Sequence, residues 1–317
     1  MPAICDARPL FRPADAGVRF LPEGPYALGD GLFSWVGIQH GADATIGSLH
    51  RFDMNSGHDE RFDLPGRPGF AFPCVDGRSW VIGLEREIGL FDTVERRWNP
   101  FCGPVDAAVT ETIINDATLV DDGLIFGCKH VRFTEAKAGL YFWRGTDRKL
   151  FQLRSDQICS NGKKVVCRDG QQQLLDIDSP SKTVVAHPLD PVSGTVGTPR
   201  LVLDLRDGPS FPDGMVLTPD GESVIIAFYD PRDVECGEAR QYGLSDGRLQ
   251  QTWRTPGSPR VTCPALVSHA GGVSLVLTTA VEHMTAEEER KHPHAGCLFV
   301  AETEWDSVAP GPLFRWL

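Results

Sequence analysis

No stretch of the 317-residue chain approaches 18 consecutive apolar residues, so the sequence offers no membrane-spanning helix. The opening Met1-Pro2-Ala3-Ile4-Cys5-Asp6 lacks the charged start and apolar core of a secretory signal, and the expectation is a cytoplasmic protein with no membrane partner. No run of Lys or Arg stands out, and the net charge is −12. Nucleic acid and anionic membranes call for a basic face, so neither is expected as a partner. The nine cysteines (Cys5, Cys74, Cys102, Cys128, Cys159, Cys167, Cys236, Cys263, Cys297) form no Cys-x-x-Cys pair. That excludes a zinc ribbon or a thioredoxin-like centre and leaves buried free thiols in a reducing compartment. A Gly-x-Ser-x-Gly elbow and a phosphate-binding glycine loop are also missing. Helix signals are nearly absent; only Thr285-Ala286-Glu287-Glu288-Glu289-Arg290 has a helix-start pattern.

What the chain does have is a repeat. Six times a small turn, five of them Asp-Gly and the last Gly-Gly, is followed by an apolar, strand-like run. The turn glycines are Gly31, Gly77, Gly123, Gly170, Gly221 and Gly272, at intervals of 46, 46, 47, 51 and 51 residues. Each run is followed by a second strand signal: Leu49–Asp53, Gly89–Asp92, Gly139–Trp143, Thr183–Ala186, Gln241–Leu244 and Gly296–Val300. A strand-built repeat of roughly 40–50 residues is the signature of a propeller blade. The repeat therefore predicts an all-β chain, a six-bladed β-propeller, with residues 1–317 forming one domain. Gly 33 and Pro 24 suit a turn-rich all-β chain, and 41% hydrophobic residues suffice for its core. Pro188 to Pro199 reads as a polar loop.

The turn glycines also serve as a ruler. Eight residues before Gly31, Gly123 and Gly221 lie Glu23, Asn115 and Asp213, and nine before Gly170 lies Asn161. The other two blades place Gly69 and Pro264 at that phase. The position falls on or near the innermost strand, so four blades would aim a carboxylate or carboxamide at one axis. Two carboxylates with carboxamide oxygens are hard ligands, suited to Ca²⁺, Mg²⁺ or Mn²⁺ and tolerable for Zn²⁺. Few protein ligands would leave open positions, as a catalytic ion needs. Taken singly, Pro212-Asp213-Gly214, Asn115-Asp116 and Asn161-Gly162 read as turns, and Glu23 as a solvated residue. Only the shared phase lifts them as a set. His283, His292 and His294 lack a rigid spacing and read as a surface loop, and Lys129-His130 as a solvated one.

Three of these residues sit in words with a family resemblance. Ile158-Cys159-Ser160-Asn161-Gly162, Phe211-Pro212-Asp213-Gly214-Met215 and Ile114-Asn115-Asp116-Ala117 resemble motifs of the senescence-marker-protein/gluconolactonase/luciferin-regenerating-enzyme family. Met284-Thr285-Ala286-Glu287 with Pro293-His294-Ala295-Gly296 resembles that family's last blade. The resemblance implies a six-bladed propeller that hydrolyses a sugar lactone or related small cyclic ester at one divalent ion in the central channel. It implies Glu23, Asn161 and Asp213 as metal ligands, Asp213 also as general base, and Asn115 as a contact to substrate or to the water beside the ion. Two departures are visible. Ile113 stands where the family usually has a substrate-holding Arg, and Lys163-Lys164-Val165-Val166 replaces an apolar-aromatic stretch. A smaller or more apolar lactone or ester is therefore expected. The alternatives are a non-catalytic propeller that binds a metal or a partner, and another metal-assisted hydrolase such as a phosphotriesterase.

Overall fold

The computed structural model describes residues 2–168 and 170–316. Among them are six sheets, each opening with its innermost strand, and together they make a six-bladed β-propeller. Blade one comprises Pro22–Gly29, Leu32–Gly37, Gly47–Asp53 and His58–Leu64. Blade two comprises Pro68–Pro73, Ser79–Leu84, Glu87–Asp92 and Arg97–Cys102, and blade three Thr112–Val120, Gly123–His130, Ala138–Arg144 and Lys149–Gln157. Blade four starts with Ser160–Arg168, Gln171–Asp178 and Thr183–Asp190. Its third strand then pairs with both Thr195–Val196 and Arg200–Asp204. Part of the stretch expected as a polar loop is thus a short hairpin. Blade five is Phe211–Leu217, Ser223–Tyr229, Cys236–Gly243 and Leu249–Pro256, and blade six is Val261–His269, Gly272–Thr279 and Leu298–Glu302.

The N-terminal residues finish the last two blades. Arg8–Phe11 pairs antiparallel with Leu298–Glu302 as the fourth strand of blade six, and Ala3–Asp6 adds a parallel fifth strand to blade five. By contacts the chain divides into two compact units. One holds blades one, five and six (residues up to Arg67 and Gly208–Gly311); the other holds blades two, three and four (Pro68–Asp207) with the residues from Pro312 on.

The turns explain the repeat. Asp30 and Gly31 both take positive φ, 46° and 80°, in a two-residue connection between Gly29 and Leu32. That is the turn whose twist matches a hairpin, and glycine accepts it at little cost. Every apolar run after a turn is the second strand of its blade. These strands are buried on both faces, so they read as continuous apolar runs rather than alternating ones. Val224, Ile225, Ile226 and Ala227 are all fully buried. Between blades five and six, Ile225, Trp253, Leu275, Leu277 and Phe299 form one apolar cluster with Ala7 of the N-terminal segment. Ile125, Leu140, Phe142, Leu174 and Leu189 do the same between blades three and four. The one α-helix among the described residues is Ala286–Lys291, where the helix signal lay. Thr285 caps it, and the Glu288 carboxylate returns to the Thr285 backbone N–H.

Candidate metal centre

Each innermost strand is interrupted in its pairing with the second strand of its own blade. The pairing of first and second strand slips between Glu23 and Tyr26, Pro68 and Phe70, Ile114 and Ala117, Asn161 and Lys163, Pro212 and Met215, and Val261 and Pro264. A bulge leaves residues unpaired and re-aims their side chains, and bulges gather at functional sites. The predicted residues lie at these bulges, inside strands. None of Asn115-Asp116, Asn161-Gly162 or Pro212-Asp213-Gly214 is a turn.

In the unit of blades two to four, Asn115 and Asn161 are buried and touch. Asn115 Nδ2 donates to Asn161 Oδ1 at 2.7 Å and to Ser160 O at 2.8 Å. Both of its amide protons are committed, so what it can offer a ligand is its carbonyl oxygen. Asn161 Nδ2 donates to Ser179 Oγ at 2.8 Å, which fixes the carboxamide from its other end. Oδ1 of Asn161 keeps a second lone pair, the one a cation would use. Gly69, the blade-two residue at this phase, has a seating role. A Cβ there would lie 2.3 Å from Asn115 O and 2.5 Å from Ile114 O.

In the other unit the inner strand of blade six packs against those of blades one and five, which carry Glu23 and Asp213. Asp213 is 8% exposed and Glu23 is half-buried, its Oε2 accepting from the Gly24 N–H at 2.7 Å. A Cβ on Gly214 would fall 2.3 Å from Cys263 Sγ, so glycine lets the Asp213 bulge close on blade six. Blade six is shifted relative to the sequence ruler. Its positive-φ turn glycine is Gly271, not Gly272, and the first residue inside its bulge is Thr262, not Pro264. Thr262 Oγ1 donates to Pro22 O at 2.7 Å, one residue from Glu23. Blade six therefore contributes a hydroxyl that fixes the chain beside Glu23. The signal was the double glycine of that turn.

Carboxylate and carboxamide oxygens are hard donors, the kind that a divalent cation such as Ca²⁺ or Mg²⁺ takes and a soft one does not. A second group of ligand types, Glu111, His130 and Glu135, brings its atoms within 4.8 Å of one another. His130 lies fully buried in a strand, and Lys129 is buried too, not in the solvated loop expected. The Thr134 and Glu135 N–H groups donate to His130 Nδ1, each at 3.2 Å. The ring proton is therefore on Nε2, which faces the two carboxylates at 3.8 Å each. Arg132 and Lys137 neutralise those carboxylates. A metal-ligating imidazole normally donates from its other nitrogen, and this one cannot. The group reads as a compensated ion cluster. His292, expected on a surface loop, is also buried, bonded to Asp233 at 2.7 Å.

Two buried polar networks escaped the sequence reading. In blade one, Asp59 accepts from Trp35 Nε1 (3.1 Å) and His50 Nδ1 (2.7 Å), Ser48 Oγ donates to His50 Nε2 (2.8 Å), and His40 Nε2 donates to Ser48 Oγ (2.8 Å). In blade four, Lys163 and Asp176 face each other across the first two strands, 1% and 2% exposed. Lys163 Nζ donates to Asn161 O, and Gln157 Nε2 donates to Asp176 Oδ2 at 2.5 Å. Burial pushes the Asp176 carboxyl up to about 6 against the pull of Lys163. All nine cysteines are free, five of them buried and Cys5 and Cys167 exposed.

Residues 21–281 match the family model described as the SMP-30/Gluconolactonase/LRE-like region. YvrE of Bacillus subtilis (strain 168), itself named only as a candidate sugar lactone lactonase, is 28% identical over 205 residues. That match covers 57% of this chain and 65% of YvrE, just under two thirds of its length. The 6-deoxy-6-sulfogluconolactonase of Pseudomonas putida is 24% identical over 299 residues, 87% of this chain and 90% of that protein. Among solved structures, a calcium-binding regucalcin from Agrobacterium tumefaciens str. C58 superposes with a TM-score of 0.79 at 18% identity, covering 99% of this chain and 100% of that one. A gluconolactonase from Xanthomonas campestris gives 0.62 at 15%, over 95% and 96%. At these identities the likeness to the solved structures is one of fold.

Proposed function

Because the chain belongs to the SMP-30/gluconolactonase/LRE-like family, we propose that it is a divalent-metal-dependent hydrolase of a lactone. The observation that carries this reading is chemical. At the inner-strand bulge of its own blade, each of Glu23, Asp213, Asn115 and Asn161 brings a hard oxygen donor. Glu23, Asn161 and Asp213 would hold the ion, whether calcium, zinc, magnesium or manganese. When bound, it supplies Lewis-acid polarisation of the lactone carbonyl and countercharge for the oxyanion.

The protein's own groups do the rest. Asp213 accepts a proton from the attacking water as oxygen adds to the carbonyl carbon. The ring C–O bond then breaks, and the same carboxyl returns that proton to the leaving alkoxide, giving a hydroxy acid. Asn115, its amide protons held by Ser160 and Asn161, turns its carbonyl oxygen to a substrate hydroxyl. Ile113, 5% exposed, brings no charge to the neighbouring position, which favours a smaller or less polar lactone than gluconolactone. The two curated relatives named for sugar-type lactones support the reaction class.

Asp213→Asn is expected to lower turnover by about a hundred- to ten-thousand-fold with the fold intact. Full, metal-dependent activity in that variant overturns the assignment. A lactone panel run with and without chelator separates this reading from a binding-only propeller, which would bind the ion and show no chelator-sensitive turnover.

A further inference from the structure

Lysine is almost never fully buried without a partner. Lys163 is among the largest fully buried side chains of the described residues, at 1% exposure. It stands just beyond the Gly162 bulge, and its ammonium donates back across that bulge to the carbonyl of Asn161. Asp176, directly opposite in register, is its buried countercharge. Asn161 is thereby held at three points: its backbone by Lys163, its Oδ1 by Asn115 and its Nδ2 by Ser179. Gly162 between them has no side chain to restrain its peptide.

We propose that Lys163 is a positioning residue for Asn161, clamping the bulge so that the carboxamide keeps the direction a cation requires. The proposal rests on the reading of Asn161 as a metal ligand. The clamp works by hydrogen-bond donation to Asn161 O; the charge is an accompaniment that Asp176 compensates. A buried pair can often be exchanged for uncharged residues of similar volume without loss of stability, whereas removing one partner strands the other. Variants are therefore made in pairs.

The test is calorimetric titration of Ca²⁺ or Mn²⁺ alone into chelator-stripped, full-length protein, with melting curves alongside. Lys163→Met with Asp176→Asn removes charge and donor together and is expected to bind about ten- to a hundred-fold more weakly while melting like the parent. Lys163→Gln with Asp176→Asn keeps a donor without the charge and is expected to recover binding. A methionine pair that folds and binds like the parent overturns the clamp. So does a glutamine pair that folds but binds no better than the methionine pair. Should the methionine pair fail to fold, the glutamine pair decides alone, since loss of binding there excludes donation as the cause. Asn161→Ala is the reference: if it too binds like the parent, the ligand assignment itself falls, and the two failures are told apart.

Discussion

Blade one and blade four each bury a chain of polar side chains, and the two chains are finished differently. In blade one each link has a partner: Asp59 holds His50 and Trp35, His50 takes the Ser48 proton, and His40 donates to Ser48. Arg61 in turn faces His40 at 3.4 Å and pairs with Asp15. Trp35 stacks on His50 at 3.8 Å. The Asp-His-Ser order is that of a nucleophilic relay, but Ser48 is fully buried and no substrate reaches it. In blade four, by contrast, Ser160 Oγ and Asp176 Oδ1, together with Gln157 Oε1 at the end of blade three, are buried and meet no hydrogen-bond partner among the described residues. A closed network rigidifies a core, whereas a partly satisfied one stores a cost that function has to justify. Blade four carries Asn161, a proposed ligand, which Lys163 of its network holds directly.

The difference predicts that blade one is broken through stability and blade four through binding. Asp59→Ala strands the His50 Nδ1–H and the Trp35 indole N–H in the interior, and should lower the unfolding free energy by about 3 kcal/mol in urea titration. Metal affinity of the folded fraction should not change. Weaker metal binding in that variant would end the division of labour.

Two glycines sharpen the contrast with a smaller effect. A Cβ on Gly127 would lie 1.9 Å from Ser160 Oγ and 2.2 Å from its Cβ, and 3.5 Å from Gln157 Oε1. Alanine there must push blade four's inner strand at the residue whose carbonyl holds Asn115. A cost of about 1–3 kcal/mol is expected, with weakened metal binding. In blade one, the Cβ of Gly37→Ala would meet Ser48 Oγ at 2.9 Å, a hydroxyl that can give by rotation. Its penalty should be smaller and confined to stability. Equal effects of the two alanines on metal affinity would erase the contrast.

How far all this was legible follows from which signals are local. The turns are local, so six blades could be counted, and the inner-strand phase followed for Glu23, Asn115, Asn161 and Asp213. The size of each bulge is not local. Blades two and four leave one residue unpaired, Gly69 and Gly162, whereas the others leave two. With the double glycine of the last turn, that put Pro264 where Thr262 stands. Long-range pairing was also invisible: nothing in Ala3–Asp6 or Arg8–Phe11 names blades five and six as partners. Nor could the sequence say which of Lys163 and Lys164 points inward, since adjacent strand residues face opposite sides and a one-residue bulge inverts the count.

The smallest expected effect is a pH dependence of opposite sign in the two regions. Burial holds the His50 imidazole below its ordinary value in spite of Asp59, and does the same to His40. The unfolded chain therefore takes up protons near pH 6.5 that the folded blade refuses. That contribution is complete above about pH 6.5 and is lost as the pH falls through the lowered folded value. Burial raises Asp176 to about 6, and raises Asp178 as well. Here the folded blade holds a proton that the unfolded chain releases near pH 4. This contribution is complete below about pH 4 and is lost as the pH rises through about 6. One proton changes stability by at most about 1.4 kcal/mol per pH unit, so each slope is modest. Amide exchange of peptides covering Gly47–Asp53 and Gln171–Asp178, corrected for chemical exchange between pH 4.5 and 6.5, should show protection rising with pH in the first and falling in the second. Asp176→Asn should flatten the second slope and leave the first. Parallel slopes, or a second slope untouched by that substitution, would mean that the unfinished network of blade four is not the charged one described here.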